Sequence, residues 1–166
     1  MTGPVALRDW AEGDLPVLEA TMGDPLATRY LGGPEPPEKL AGRHARYLAL
    51  AGSGRGRMFV ILAGAEAAGS VGYWDAEEDG APVYEMGWSI VPALQGRGLA
   101  SGGTRLALDR ARAERRHRWV YAHPSVENAA SNALCRSVGF ELLGEADVEY
   151  PPGTPMRVNR WRIALW

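Results

Sequence analysis

The pattern of apolar and polar positions divides the chain into an antiparallel front half and a β-α-β-α-β back half. Val5 to Arg8 reads as a short strand. Asp14 is placed to cap a helix that opens on Leu15, with Pro16 tolerated in its first turn. The stretch from Gly32 to Pro37 breaks the chain. A second helix follows, with Leu40, Tyr47 and Leu48 on one face. Past the glycine-rich turn at 52–56, three strands are predicted at 58–62, 69–74 and 83–91. Gly- and Ala-rich or acidic turns separate them, as in a meander. A helix starts near Gly98 and carries Leu99, Gly103, Leu106, Ala107 and Arg110 at spacings of three and four. Trp119 to Ala122 is a strand. Ala130, Leu134 and Val138 mark a last helix face that Gly139 stops. Strands at 141–143 and 158–165 complete the order.

Length and composition narrow the picture. A chain of 166 residues without an interdomain linker predicts one domain, 1–166, with a core of its own. A formal net charge of −2 gives no reason to expect nucleic acid or an anionic membrane as partner. Nearly all the positive charge is arginine, Lys39 being the single lysine. The lone cysteine, Cys135, rules out an internal disulfide and leaves too few thiols for a zinc-thiolate site, and no metal is expected. No signal-like apolar block follows Met1, and no apolar run approaches the roughly 20 residues that span a bilayer. A cytoplasmic protein is the expectation.

The informative segment runs from Ile90 to Leu106. A strand ends at Val91-Pro92, and Gln95-Gly96-Arg97-Gly98-Leu99-Ala100-Ser101 leads straight into a helix. Small residues let backbone approach a ligand closely. The first amides of a helix lack intrahelical partners and carry the positive end of its dipole. The combination suits a phosphate or pyrophosphate. The plainer alternative is a tight turn with no ligand. Two commoner phosphate motifs are excluded. A Walker loop needs Lys and then Ser or Thr where Leu99-Ala100 stand. A dinucleotide fingerprint needs Gly or Ala where Ser101 stands, in a βαβ setting.

Gln95-x-x-Gly98-x-Ala100 resembles the pyrophosphate loop of the GNAT acetyltransferase superfamily. Three further segments are similar to its branch of ribosomal-protein N-terminal acetyltransferases, the RimJ/RimL-like proteins. Residues 85–92, Glu-Met-Gly-Trp-Ser-Ile-Val-Pro, resemble the central strand. Residues 127–131, followed by Val138-Gly139-Phe140, resemble the late helix and the strand after it. Residues 24–32 resemble the acceptor-side loop. The segments occur in the expected order and cover most of the chain.

The resemblance implies a mixed α/β fold. Its central twisted sheet of about six or seven mostly antiparallel strands has one splayed pair, with helices on both faces. It also implies a co-substrate, acetyl-CoA. The pantetheine arm would lie in the splay, paired with backbone near Ile90 and Val91. The pyrophosphate would rest on the amides of Gln95, Gly96, Arg97, Gly98, Leu99 and Ala100, with the Ser101 hydroxyl beside it. Asn128 and Ser131, one helical turn apart, would face the pantetheine and phosphate side. Asn128 also suits a helix N-cap.

The implied reaction is attack of a primary amine, on a protein N-terminus or a small molecule, upon the thioester. It needs a base or a water chain, because a protonated amine has no lone pair. Glu85 and His123 are the candidates, each with a plainer role as a solvated or locally bonded residue. His44 and His117 read as surface residues. Many family members carry a tyrosine, as the acid that protonates the thiolate, where this chain has Cys135. A small buried hydrophobe is the natural reading of that cysteine. On the acceptor side the resemblance points to Arg29, Tyr30 and Leu31. Trp10, Trp74 and Trp88 are wall candidates that could equally be core. Glu77, Glu78 and Asp79 read as a commonplace acidic turn. A non-catalytic acyl-CoA-binding module and a plain phosphate-binding protein are the rival classes, and the oligomer is a monomer or homodimer.

Overall fold

The computed structural model describes residues 4–166. Of the N-terminal stretch read for a signal-like block, Met1, Thr2 and Gly3 lie outside the described residues. Seven strands form one sheet in the order β1-β2-β3-β4-β5-β7-β6. Strands β1 (Val5–Asp9), β2 (Gly56–Ala63), β3 (Glu66–Glu78) and β4 (Ala81–Ile90) make an antiparallel meander. Strand β5 (Trp119–Ala122) runs parallel to β4, and β7 (Pro155–Ala164) and β6 (Glu141–Glu149) follow antiparallel. The helices are α1 (Leu15–Ala20), α2 (Pro37–Leu50), α3 (Leu99–Glu114) and α4 (Ala129–Val138).

Side chains alternate across a strand, so each face of the sheet builds its own core. On one face Phe59, Ile61, Val71, Tyr73, Tyr84 and Met86 bury against Leu99, Ala107 and Leu108 of α3 and Cys135 of α4. On the other, Met58 and Val60 bury against Val17 and Leu18 of α1 and Leu40 of α2. Each such side chain contributes about 1.5–3 kcal/mol when fully buried. The contact between α3 and the sheet is close. A Cβ on Gly103 would lie 2.8 Å from Cδ1 of Ile61. At the far end of α3, Glu114 accepts hydrogen bonds from the hydroxyls of Tyr73 (2.8 Å) and Tyr84 (3.0 Å).

Strands β3 and β6 exceed the sequence expectation by the most. Glu77 and Glu78 belong to β3 and not to a turn; the turn is Asp79-Gly80 alone. Both turn residues have positive φ, 51° and 79°, and Glu78 pairs with Ala81. This is the two-residue hairpin geometry that Asp-Gly favours. Strand β6 runs on to Glu149, paired with β7 along its length as an exposed edge. With almost no buried positions it shows no apolar alternation to read.

Candidate active site

The site begins where two strands part. Strands β4 and β5 pair only at Tyr84 with Val120 and Glu85 with Tyr121. Beyond Glu85, β4 continues to Ile90 alongside β3, while β5 ends at Ala122. A cavity of about 680 Å³ occupies the gap and takes its wall from both faces of the sheet. Trp88, Ile90 and Leu99 line it on the α3 side, and Trp74, Glu85 and Ser89 on the α1–α2 side. Gly87 leaves room for the ring of Trp74, which would stand 3.0 Å from a Cβ there.

The Gly-rich turn closes one end. Gly96 (φ 77°) and Gly98 (φ 74°) are left-handed, which is why glycine stands at both. A Cβ on Gly96 would meet nothing within 4 Å, and one on Gly98 only the Ser101 hydroxyl at 4.0 Å. No side chain caps α3. Its first amides therefore have no capping side chain as partner, the condition an anion site requires. Ser101 turns its hydroxyl back to the Gly98 carbonyl, at 3.1 Å. Gln95, Gly96, Gly98, Leu99, Ala100 and Ser101 line the cavity; Arg97 does not.

Val91 corrects the expectation for the pantetheine edge. Its N–H bonds the Ala68 carbonyl (2.8 Å) and its carbonyl accepts the Leu94 N–H (2.8 Å). Both groups are committed inside the protein, and Val91 is not on the cavity wall. The Ile90 carbonyl instead takes the Gln95 side-chain amide at 3.3 Å. Ile90 lines the cavity and Val91 does not, although the Ile90 carbonyl also has an internal partner in Gln95.

Asn128 is the N-cap of α4, its Oδ1 accepting the Ser131 N–H at 3.1 Å. Ser131 Oγ accepts the Trp88 indole N–H at 3.1 Å. Both residues line the cavity while fixing its wall. Sequence reasoning missed the hub beneath them. Asn132, 8% exposed, donates to the carbonyls of Ser125 and Asn128 and accepts from Asn159 and Trp161. All its hydrogen-bonding capacity in this core is used, which rigidifies the loop between β5 and α4.

Glu85 and His123 meet across the splay. His123 Nδ1 lies 3.3 Å from Glu85 Oε1, and Nε2 lies 2.6 Å from Glu78 Oε1. Both ring nitrogens face carboxylates, which only accept, so the doubly protonated imidazolium fits this geometry. Burial pulls the His123 pKa down, but the hydrogen bond and charge of Glu85 and the charge of Glu78 outweigh it and raise the value above 6.5. Glu78 is held in turn by Arg160 at 3.0 Å. Tyr121 stacks on the imidazole at 6.2 Å. Glu78 went unrecognised because its role arises from a neighbour far along the chain.

The acceptor-side loop is built on Asp24, whose Oδ1 accepts the N–H groups of Leu26 and Ala27. Arg29, Tyr30 and Leu31 line the cavity, with the Arg29 guanidinium 5.0 Å from the Tyr30 ring centre. Trp74 and Trp88 are wall residues. Trp10 is core, donating to His44 Nδ1 at 3.0 Å. His117 is no surface residue either: it pairs with Asp75 at 2.9 Å and packs edge-on against Tyr84.

A family model described as an acetyltransferase (GNAT) domain matches residues 5–141. The chain belongs to the GNAT acetyltransferase family. A search of curated proteins gave no match. Solved structures give the same fold. One is RimL, a ribosomal-protein alpha-N-acetyltransferase in complex with coenzyme A. It is 22% identical with a TM-score of 0.81, covering 96% of this chain and 93% of that one. An apo form of RimL is 26% identical with a TM-score of 0.78, covering 96% and 90%. Spermidine N-acetyltransferase from Vibrio cholerae, in complex with coenzyme A and spermine, is 22% identical with a TM-score of 0.79, covering 97% and 95%.

As a GNAT acetyltransferase, the protein departs from the family's frequent tyrosine at Cys135. That side chain is fully buried in the core under α3 and α4, and burial pushes its thiol up to about 12. It is absent from the cavity wall. A neutral, enclosed thiol neither donates a proton there nor acts as a nucleophile. The remaining fit to acetyl-CoA is good. The uncapped start of α3 suits the pyrophosphate, and the Ile90 edge suits an extended amide chain.

Proposed function

We propose that the domain transfers an acetyl group from acetyl-CoA to a primary amine by direct attack. One observation carries this reading: a single cavity joins the uncapped start of α3 to the Glu85–His123 pair through a gap in the sheet. The amides of Gly98, Leu99 and Ala100 hold the pyrophosphate. The Ile90 backbone aligns the pantetheine as an added strand would. Bound acetyl-CoA supplies the activated acetyl group.

Glu85 takes the amine proton, directly or through one water. Only its Oε1 is engaged, and it lines the cavity. His123, with Glu85 at one ring nitrogen and Glu78 at the other, orients that carboxylate toward the cavity. The leaving thiolate departs as the anion or takes a proton from water, since Cys135 is enclosed. Holding amine and thioester together supplies much of the acceleration. RimL acts on a protein N-terminus and the Vibrio cholerae neighbour on spermidine. Both are amines, which agrees with this chemistry.

A thiol-release assay with acetyl-CoA over a panel of amines tests the reading. Release dependent on an added amine supports it. Coenzyme A binding without release from any amine would make the chain an acyl-CoA-binding module instead.

A further inference from the structure

The acceptor end of the cavity carries a second constellation. Arg43 of α2 is clamped by Glu35 through two hydrogen bonds, of 2.7 and 2.9 Å. Two of its three remaining N–H groups go to phenols, Tyr150 at 3.0 Å and Tyr47 at 3.4 Å. Both tyrosines line the cavity. Each phenolic oxygen accepts from Arg43, so each hydroxyl proton is left to donate elsewhere. Burial raises the Tyr47 pKa, so that proton stays in place at neutral pH.

The charges on the wall have a sign. Among the described residues, the charged side chains lining the cavity are Arg29, Arg43, Glu85 and His123. Glu85 is already bonded to His123, and the charge of Arg43 is balanced by Glu35. Arg29 makes no ion pair among the described residues; its guanidinium rests over Tyr30. A polycation would find a single carboxylate here, that of Glu85, already shared with His123. An anionic oxygen group would find one guanidinium and two hydroxyl donors. Leu31, Met58, Trp74 and Met156 make the rest of this wall apolar.

On the reading of the site as an amine acetyltransferase, the geometry points to an acceptor that carries a carboxylate beside its amine on an apolar body. The chemical class is a free amino acid with an aliphatic side chain. Arg29, Tyr47 and Tyr150 hold the carboxylate, and the amine is left to Glu85. Arg43 is a positioning residue that aims the two phenols.

The test compares leucine with leucinamide and 3-methylbutylamine, and includes spermidine and a C-terminally amidated peptide. Turnover is read by thiol release. Binding to the chain, alone and saturated with coenzyme A, is read by calorimetry. Leucine should bind and turn over about tenfold or more better than 3-methylbutylamine, the effect of losing hydrogen bonds to a charged group. It should also exceed leucinamide, although the amide's amine gives up its proton more readily. Arg29→Gln and Tyr150→Phe should narrow these ratios by raising KM more than they lower kcat. Equal turnover of leucine and 3-methylbutylamine would overturn the carboxylate site while leaving the transferase reading intact. So would preference for spermidine or the amidated peptide, or ratios unmoved by both variants. Selective binding of leucine with no turnover of any amine would uphold the site and end the transferase reading.

Discussion

The imidazole of His123 shows how neighbours decide a residue's role. From sequence, Glu85 and His123 are equal candidates for the base, and a reference value of about 6.5 recommends the histidine. The structure places a carboxylate at each ring nitrogen, and the pKa is raised. A histidine with a carboxylate at each ring nitrogen and a raised pKa is a poor base and a good partner for Glu85. Glu85→Gln should therefore lower kcat about 10²-fold or more. His123→Ala should cost less and should abolish the titration step that wild type shows above pH 6.5. Stopped-time rates across pH, with NMR titration of the His123 ring, check both. A nearly unimpaired Glu85→Gln beside an inactive His123→Ala would return the role of base to the histidine.

At the scale of elements, what was legible depended on how local the cause was. The turn from Gln95 into α3 was readable because left-handed backbone at residues 96 and 98 demands glycine. The meander was readable from its alternation. The length of β6 was not, because an exposed edge lacks a buried face. Nor were Glu78, Asn132 and Arg43, whose partners are set by the topology and not by spacing. The commitment of Val91 to Ala68 and Leu94 depends on strand register, which the sequence leaves open. Two variants probe α3 itself. Gly98→Asp has space for its side chain, and aspartate tolerates left-handed backbone better than most residues. Its carboxylate can cap the helix and so compete with the pyrophosphate. Coenzyme A affinity should fall at least tenfold, about 1.4 kcal/mol, in a chain that remains folded. Unchanged affinity would place the phosphates elsewhere. Thr104, in the same helix, buries a hydroxyl without a hydrogen-bond partner among the described residues. Thr104→Val should raise the urea midpoint by an amount worth about 1 kcal/mol, and a lower midpoint would show that the hydroxyl is satisfied in solution.

Over the whole molecule, ion pairs fasten loops to the sheet and to α2 and give stability its dependence on pH. Asp14, 5% exposed, accepts two hydrogen bonds from Arg8 at 2.9 Å and one from the Ala11 N–H at 2.7 Å. Burial pushes its pKa up, but these bonds outweigh it and the value is lowered. The hydrogen bonds from Arg43 lower the pKa of Glu35, and those from Arg116 and His117 overcome burial to lower that of Asp75. A carboxylate whose folded pKa is depressed contributes stability above its unfolded value of about 4, and the contribution is lost as pH falls through the folded value. His123 has the opposite sign. Its raised pKa contributes stability fully below pH 6.5, and that contribution is lost as pH rises through the folded value. The urea midpoint should therefore peak between about pH 5 and 6.5, fall steeply on the acid side and step down more gently on the alkaline side. Asp14→Asn should remove about 2 kcal/mol at neutral pH and flatten the acid limb. The figure is below that for a fully buried pair because the Arg8 side chain is 44% exposed. His123→Ala should leave the acid limb in place and erase the alkaline step. An alkaline step that persists in His123→Ala would assign it to another group and remove the case for a charged imidazole between Glu78 and Glu85.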